Sequence, residues 1–219
     1  MIYRGFWLIN WFKKEFRYRE MQIAKEAGQP PEQLFDEMIK EIPPGSMGLT
    51  LQPYWSPGVK NPGKEAKGAI IGFGDVHTRA HIYRAILEGL AYALKKGLIR
   101  TEKKTKIPIK KIIVSGGGSQ SKQAMQLTAD IFGKTAIRPH TYETSALGAA
   151  INAAVGMKFF KNYGEAVKAM TRIGEIYEPD VKNEEIYLNL FKNVYLKMYK
   201  KLQPLYNQIR NITGYPEKT

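Results

Sequence analysis

Three consecutive glycines, Gly116, Gly117 and Gly118, follow the apolar run Ile112-Ile113-Val114 and lead through Ser121 into a helical pattern. Bare backbone between a strand and a helix gathers unpaired N–H groups and the positive helix end at one point, which is the chemistry of an anion or phosphate site. Glycine suits such a place because a Cβ would hold the ligand away and forbid the tight turn. The spacing is neither Gly-x-x-x-x-Gly-Lys-Ser/Thr nor Gly-x-Gly-x-x-Gly. On spacing alone, a strand-to-helix turn without a ligand stays open beside the phosphate reading.

His77 and His81 stand four apart on a helical pattern, a spacing that could turn both toward one metal. A third ligand is not evident, and a polar contact at the helix end is the competing reading. The sequence contains no cysteine, so disulfides and thiolate metal sites are excluded.

The elements that must position these residues can be read from periodicity. Ile112-Ile113-Val114 is too short for a helix and rich in strand formers, which predicts a buried strand. Ala124, Leu127, Thr128 and Ile131 recur at helical spacing, and Gly133 stands at the expected stop. Upstream, Ala69-Ile70-Ile71 reads as a further buried strand closed by Gly72. An amphipathic helix from about Thr78 to Leu98 follows, with Tyr83, Ile86, Leu87 and Leu90 in its apolar stripe. Residues 100–109 read as a charged, exposed connection. Downstream, Thr135–Pro139 is a strand stopped by proline. Ser145 is expected to cap a helix of small residues, among them Ala146, Gly148, Ala149 and Ala150, packed closely on the sheet near the glycines.

The remaining segments frame that centre. Residues 1–28 show a helical pattern with an aromatic stripe of Leu8, Trp11, Phe12 and Phe16, ended by Gly28-Gln29-Pro30-Pro31. A second helix is expected from Glu32 to Lys40, then a turn at Pro43-Pro44-Gly45. Leu49 to Trp55 reads as a strand entering an irregular loop over 56–67. Tyr163 to Met170 reads as a helix, Ile173 to Glu178 as extended chain. Asn183 to Asn211 reads as one long helix with a kink expected at Pro204. Strands alternating with helices give the α/β class.

At 219 residues the chain has room for one good core, and its 43% hydrophobic and 25% charged residues are those of a globular domain. No long uncharged apolar span or signal-peptide layout is present, so the expectation is a cytoplasmic protein without a membrane partner. The formal net charge of +14 raises a nucleic-acid surface as one class of function. The lysines are dispersed, as in Lys13-Lys14, Lys95-Lys96, Lys110-Lys111 and Lys200-Lys201, and no recognition-helix, RNP or zinc-finger pattern accompanies them. A solvated basic surface, with no nucleic-acid partner, is the reading kept.

The stretch from Gly116 to Gly133 resembles the C-terminal signature of the FGGY carbohydrate kinases, the family of glycerol, xylulose, ribulose and gluconate kinases. That signature, Gly-Gly-Gly/Ala-x-x-Ser/Asn-x-x-x-x-Gln-x-x-Ala-Asp-x-x-Gly, is filled by Gly116, Gly117, Gly118, Ser121, Gln126, Ala129, Asp130 and Gly133. Two more blocks agree in order, Gly68 to Tyr92 and then Arg138-Pro139 with Glu143 to Ala150. The resemblance implies an actin-like, ribonuclease-H-like ATPase fold in which ATP or ADP lies between two lobes. It implies that Gly72, with Gly117 and Gly118, lines the phosphates and ribose, that Gly116 belongs to the same loop, and that Ser121 holds the adenine-facing position. Asp75, in the matching Gly72-Phe73-Gly74-Asp75 loop, is then a poor catalytic base, with a metal or phosphate-network role as its functional alternative.

The catalytic aspartate, most sugar contacts and most ligands of Mg2+ belong in that family to an N-terminal lobe. The expectation is therefore a helical lead-in over 1–45 and a C-terminal nucleotide-binding domain over 46–219. Its partners would be that N-terminal lobe, a sugar or polyol substrate and, where apolar surface is left uncovered, a further copy of itself. A non-catalytic interaction domain and a basic nucleic-acid module are the alternatives.

Overall fold

The computed structural model describes residues 7–16, 22–23, 26, 31–56 and 62–215. The predicted continuation of the first helix toward 28, its Gly28-Gln29-Pro30 stop and the tip of the 56–67 loop lie outside the described residues. The elements in chain order are α1 (Trp7–Phe16), α2 (Pro31–Lys40), β1 (Thr50–Gln52), β2 (Ala69–Ile71), α3 (Arg79–Thr105), β3 (Lys111–Ile113), α4 (Lys122–Phe132), β4 (Thr135–Pro139), α5 (Thr144–Gly156), α6 (Tyr163–Met170), β5 (Ile173–Tyr177), α7 (Val181–Leu190) and α8 (Leu196–Thr213).

Helix α3 is the hub, because every residue from Tyr83 to Tyr92 is buried. A helix apolar or internally paired all round must have neighbours on every side. On one side Phe12 of α1 and Phe35 of α2 meet Tyr83, with ring centroids 5.2 Å and 5.0 Å away. On another, β1 approaches so closely that a Cβ on Gly89 would lie 2.4 Å from the Leu51 carbonyl oxygen. On a third, Tyr92 packs on Phe191 and Tyr195 of the C-terminal region at 5.8 Å and 5.1 Å. Leu8, Phe12, Phe35, Ile86, Leu90, Tyr187 and Met198 thus share one core. α3 runs on to Thr105, past the expected end at Leu98, and stops at a left-handed Lys106. Lys, Arg and Glu are good helix formers, so the charged stretch read as a connection extends the helix into solvent.

Strands β1 and β2 pair antiparallel, Leu51 opposite Ile70. β3 and β4 pair parallel with Ile113 opposite Ile137, and β5 adds antiparallel to β4. Neither β2 nor β3 is the buried strand its apolar run predicts, because each lies at the edge of a small sheet and leaves Ile71 and Ile113 exposed. Two parallel strands require a crossover, and α4 supplies it, ending at Gly133 with φ +62° as its spacing predicts.

Two further expectations are corrected. The small-residue helix α5 begins at Thr144 with Glu143 before it, so Ser145 is an exposed residue inside the helix and caps nothing. It packs chiefly on α6, with Ile151 as its one buried residue, and not on the sheet. Small side chains permit close approach but carry little apolar area to drive it. The C-terminal helix is interrupted by a π turn at Phe191–Tyr195, while Pro204 lies inside α8. Phe191 and Tyr195, at the two ends of that turn, both pack on Tyr92.

A buried polar knot ties these layers together. The Glu88 carboxylate accepts from Gly45 N at 3.0 Å, Ser46 Oγ at 2.9 Å, Arg84 Nε at 3.0 Å and Tyr187 Oη at 2.9 Å. Arg84 also donates to the Ile39 carbonyl at 3.1 Å and to Tyr187 at 2.9 Å. Burial pushes the Glu88 carboxyl up, and the Arg84 guanidinium opposes that rise.

Candidate functional site

β3 delivers the chain to the glycines. Val114 N donates to the Ile137 carbonyl at 2.9 Å, and Gly116 N to the Tyr142 carbonyl at 3.0 Å. Gly116 has φ +85° and ψ −179°, a region open essentially to glycine alone. A 3-10 turn, Gly117–Gln120, follows. It is fastened from behind: the buried Ser119 binds the Gly116 carbonyl through N at 3.0 Å and Oγ at 2.8 Å. Arg138 of β4 donates to the Ser119 and Gln120 carbonyls at 3.0 Å and 3.2 Å and pairs with Glu175 of β5. The fixed end of the turn is thus its carbonyl end, and the N–H groups at its start have no partner within it. A Cβ on Gly117 would stand in open space.

The start of α4 differs from the simple glycine-to-helix passage read from the sequence. Ser121 is its N-cap, accepting from Ala124 N at 2.9 Å. Asp36 of α2 crosses to the same point, accepting from Lys122 N at 3.0 Å and from Ser121 Oγ at 2.5 Å. The positive end of α4 therefore already holds a carboxylate from the chain itself. The glycine turn lies one 3-10 turn earlier, away from this carboxylate.

Between that turn and the helices α1–α3 lies a cleft of about 790 Å³. Gly116, Gly117, Gly118 and Ser121 line it, so the structure brings four of the sequence-predicted residues together. Gly72 is not among the lining residues. It follows β2 at φ +95°, where a Cβ would sit 2.3 Å from the Gly48 carbonyl oxygen. The opposite wall comes from Asn10 and Lys13 of α1, Asp36 of α2, and Tyr83 and Leu87 of α3. None of these is a site residue by sequence reasoning. Asn10 has one signal, a polar residue interrupting Trp7-Leu8-Ile9-Asn10-Trp11-Phe12; Asp36 has none, because its partner is 85 positions away.

The histidines are committed to local contacts. His77 Nδ1 accepts from Gly74 N at 2.8 Å, and His81 Nδ1 accepts from Thr78 N at 3.1 Å at the start of α3. Asp75 is exposed. Among the described residues no group of three or more His, Cys, Asp or Glu could hold a metal ion. Burial, and then the charge of His77, holds His81 below its ordinary 6.5. An imidazole with a lowered folded-state value is protonated more readily in the unfolded chain, so stability falls as pH drops below about 6.5. The thermal midpoint is expected to be lower at pH 5.5 than at pH 7.5, and His81→Gln, which keeps an acceptor at this capping position, should flatten that slope. An unchanged slope in the variant would assign the acid sensitivity elsewhere.

A family model for the C-terminal domain of the FGGY family of carbohydrate kinases matches residues 5–157. The chain belongs to that family. Over 220 residues it is 31% identical to an uncharacterised sugar kinase, YgcE, of Escherichia coli K12, covering 96% of this chain and 44% of that protein. It is 30% identical to a xylulose kinase of Staphylococcus epidermidis, covering 94% and 39%. The crystal structure of a xylulose kinase from Rhodospirillum rubrum superimposes with a TM-score of 0.69 at 28% identity, covering 90% of this chain and 38% of that one. The fold is the actin-like, ribonuclease-H-like ATPase fold of the FGGY kinases. The chain spans about two fifths of the length of these FGGY relatives, as their C-terminal domain. Among the described residues no helix is long and apolar enough to cross a membrane.

Proposed function

We propose that the cleft between the glycine turn and helices α1–α3 holds the ATP or ADP of a carbohydrate kinase that transfers the γ-phosphate to a sugar or polyol hydroxyl. The observation that carries this reading is the Gly117–Gln120 turn, fastened at its carbonyl end by Arg138, with Gly117 and Gly118 at its start lining the cleft. Backbone N–H groups at the start of a helical turn favour phosphate. The apolar wall of Ile9, Tyr83, Leu87 and Ala124 suits the face of a base.

Phosphoryl transfer also needs a base for the attacking hydroxyl and a cation on the phosphates. Asp36 is the one carboxylate lining the cleft, and both of its oxygens already hold donors of α4 and its cap. These residues alone do not make a Mg2+ site or a base. A second lobe, with the sugar between the two, completes the reading, and the greater length of the relatives supports it. The chain by itself should bind nucleotide and transfer no phosphate.

Calorimetric titration tests the assignment. ADP is expected to bind weakly, since a few N–H groups and a dipole contribution of about 0.3–2 kcal/mol must offset the lost freedom of the ligand. Gly117→Val should abolish that binding while remaining folded by circular dichroism, because the position has room for a side chain in the absence of ligand. A folded variant that binds ADP as well as the unaltered chain would reduce the turn to a connection.

A further inference from the structure

We infer that Asp36 is the ribose-reading residue of the cleft, its carboxylate accepting from the vicinal hydroxyls of the bound nucleotide; the inference rests on the nucleotide reading above. Asp36 comes from α2, lines the cleft and is held in one place by two hydrogen bonds, from Ser121 Oγ at 2.5 Å and from Lys122 N at 3.0 Å. Each bond uses a different carboxylate oxygen. An ionised carboxylate has about four acceptor positions, so each oxygen keeps capacity for one further donor.

A carboxylate beside a phosphate site repels phosphate. The part of the ligand that it faces must therefore offer hydrogen-bond donors, and a nucleotide has two kinds, the ribose hydroxyls and the exocyclic amine of the base. Position decides between them. The 3-10 turn ends at Gln120, and Ser121, where Asp36 is anchored, follows it directly in extended conformation, so the carboxylate stands within one short turn, about 6 Å at about 2 Å per residue, of the N–H end. That reach suits the sugar next to the phosphates better than the far edge of a purine, and it moves Ser121 from the adenine-facing position that the resemblance implies to the ribose end of the cleft. Two oxygens with one free acceptor position each also match two neighbouring hydroxyls, whereas a single amine would engage only one oxygen.

The clamp on Asp36 adds pre-organisation. Its charge is compensated by the first turn of α4 before any ligand arrives, so the acceptor is fixed in place and need not be ordered on binding. Ser121 acts through Asp36 here: its hydroxyl proton goes to the carboxylate and its oxygen to Ala124 N.

The test compares ADP, 2′-deoxy-ADP and inosine diphosphate on the 219-residue chain and on Asp36→Asn, by calorimetry. Asparagine can still accept from Lys122 N, and a thermal melt checks that the variant is folded. The unaltered chain is expected to prefer ADP to the 2′-deoxy ligand by about tenfold, the scale of one hydrogen bond to a charged group. In Asp36→Asn that ratio should fall to about two or less, while the ratio of ADP to inosine diphosphate stays as it was. An unmoved ADP to 2′-deoxy-ADP ratio, or a collapse of the inosine ratio instead, overturns the ribose assignment. Failure of the unaltered chain to bind any of the three would overturn the nucleotide reading itself, and this inference with it.

Discussion

Glu88→Ala is expected to cost about 3–5 kcal/mol of folding stability, the scale on which a buried ion pair is broken by removing one partner. The reason is what the substitution leaves behind. Arg84 stays buried with its Nε stripped of its carboxylate, and Gly45 N, Ser46 Oγ and Tyr187 lose their shared acceptor. A domain of this kind has about 5–15 kcal/mol in all, so one truncation removes a large fraction. Arg84→Met combined with Glu88→Leu should recover only the part due to the bare charge, since Gly45 N, Ser46 Oγ and Tyr187 still lack their acceptor. Urea denaturation of the two variants beside the parent measures both effects. A loss below about 1 kcal/mol for Glu88→Ala would mean that water reaches the site.

Gly72→Ala is expected to lower stability by about 2–5 kcal/mol, combining strained backbone with an overpacked contact. The residue sits at φ +95°, and the new methyl group would press on the Gly48 carbonyl, which is backbone and has little freedom to withdraw. Gly117→Ala has neither problem and should change stability by about 0.5 kcal/mol or less, the range for a surface substitution. The two glycines thus separate by experiment: a loss of folding at 72, and a loss of ADP binding in a folded chain at 117. Equal stability for the two variants in denaturant would show that the β2 end relaxes around the added carbon.

How far the sequence carried these results depends on how local each signal is. The strand at Ile112 and Ile113 and the αL stop at Gly133 are decided within a few residues and form as their patterns predict, but the strand is not buried, since Ile113 is 71% exposed, and a 3-10 turn stands between the glycines and the helix. The helix Tyr163–Met170 is legible for the same reason, with Asn162 accepting from Glu165 N at its start. Asp36 is not legible, because nothing near it in the sequence shows that α2 will lie across the start of α4. The π turn at Phe191–Tyr195 fails differently: its apolar spacing continues an ordinary helical pattern and carries no sign of the extra residue. Small residues in α5 misled in a third way, since they state what could approach and not what does.

The knot around Glu88 reaches 99 positions along the chain to Tyr187, and Gln52 reaches 154 positions to Tyr206. Contacts so distant in sequence close late, because loop entropy must be met before they form. While the chain emerges from the ribosome, α3 is therefore complete long before the residues that cover its third side exist. Until then Arg84 and Glu88 lack Tyr187, and Tyr92 lacks Phe191 and Tyr195. The stretch 5–157 that identifies the family is thus a unit of ancestry and not a unit of folding: a nascent chain that reaches residue 157 still presents an uncovered aromatic face, and it must hold that face away from its neighbours until the last helix arrives.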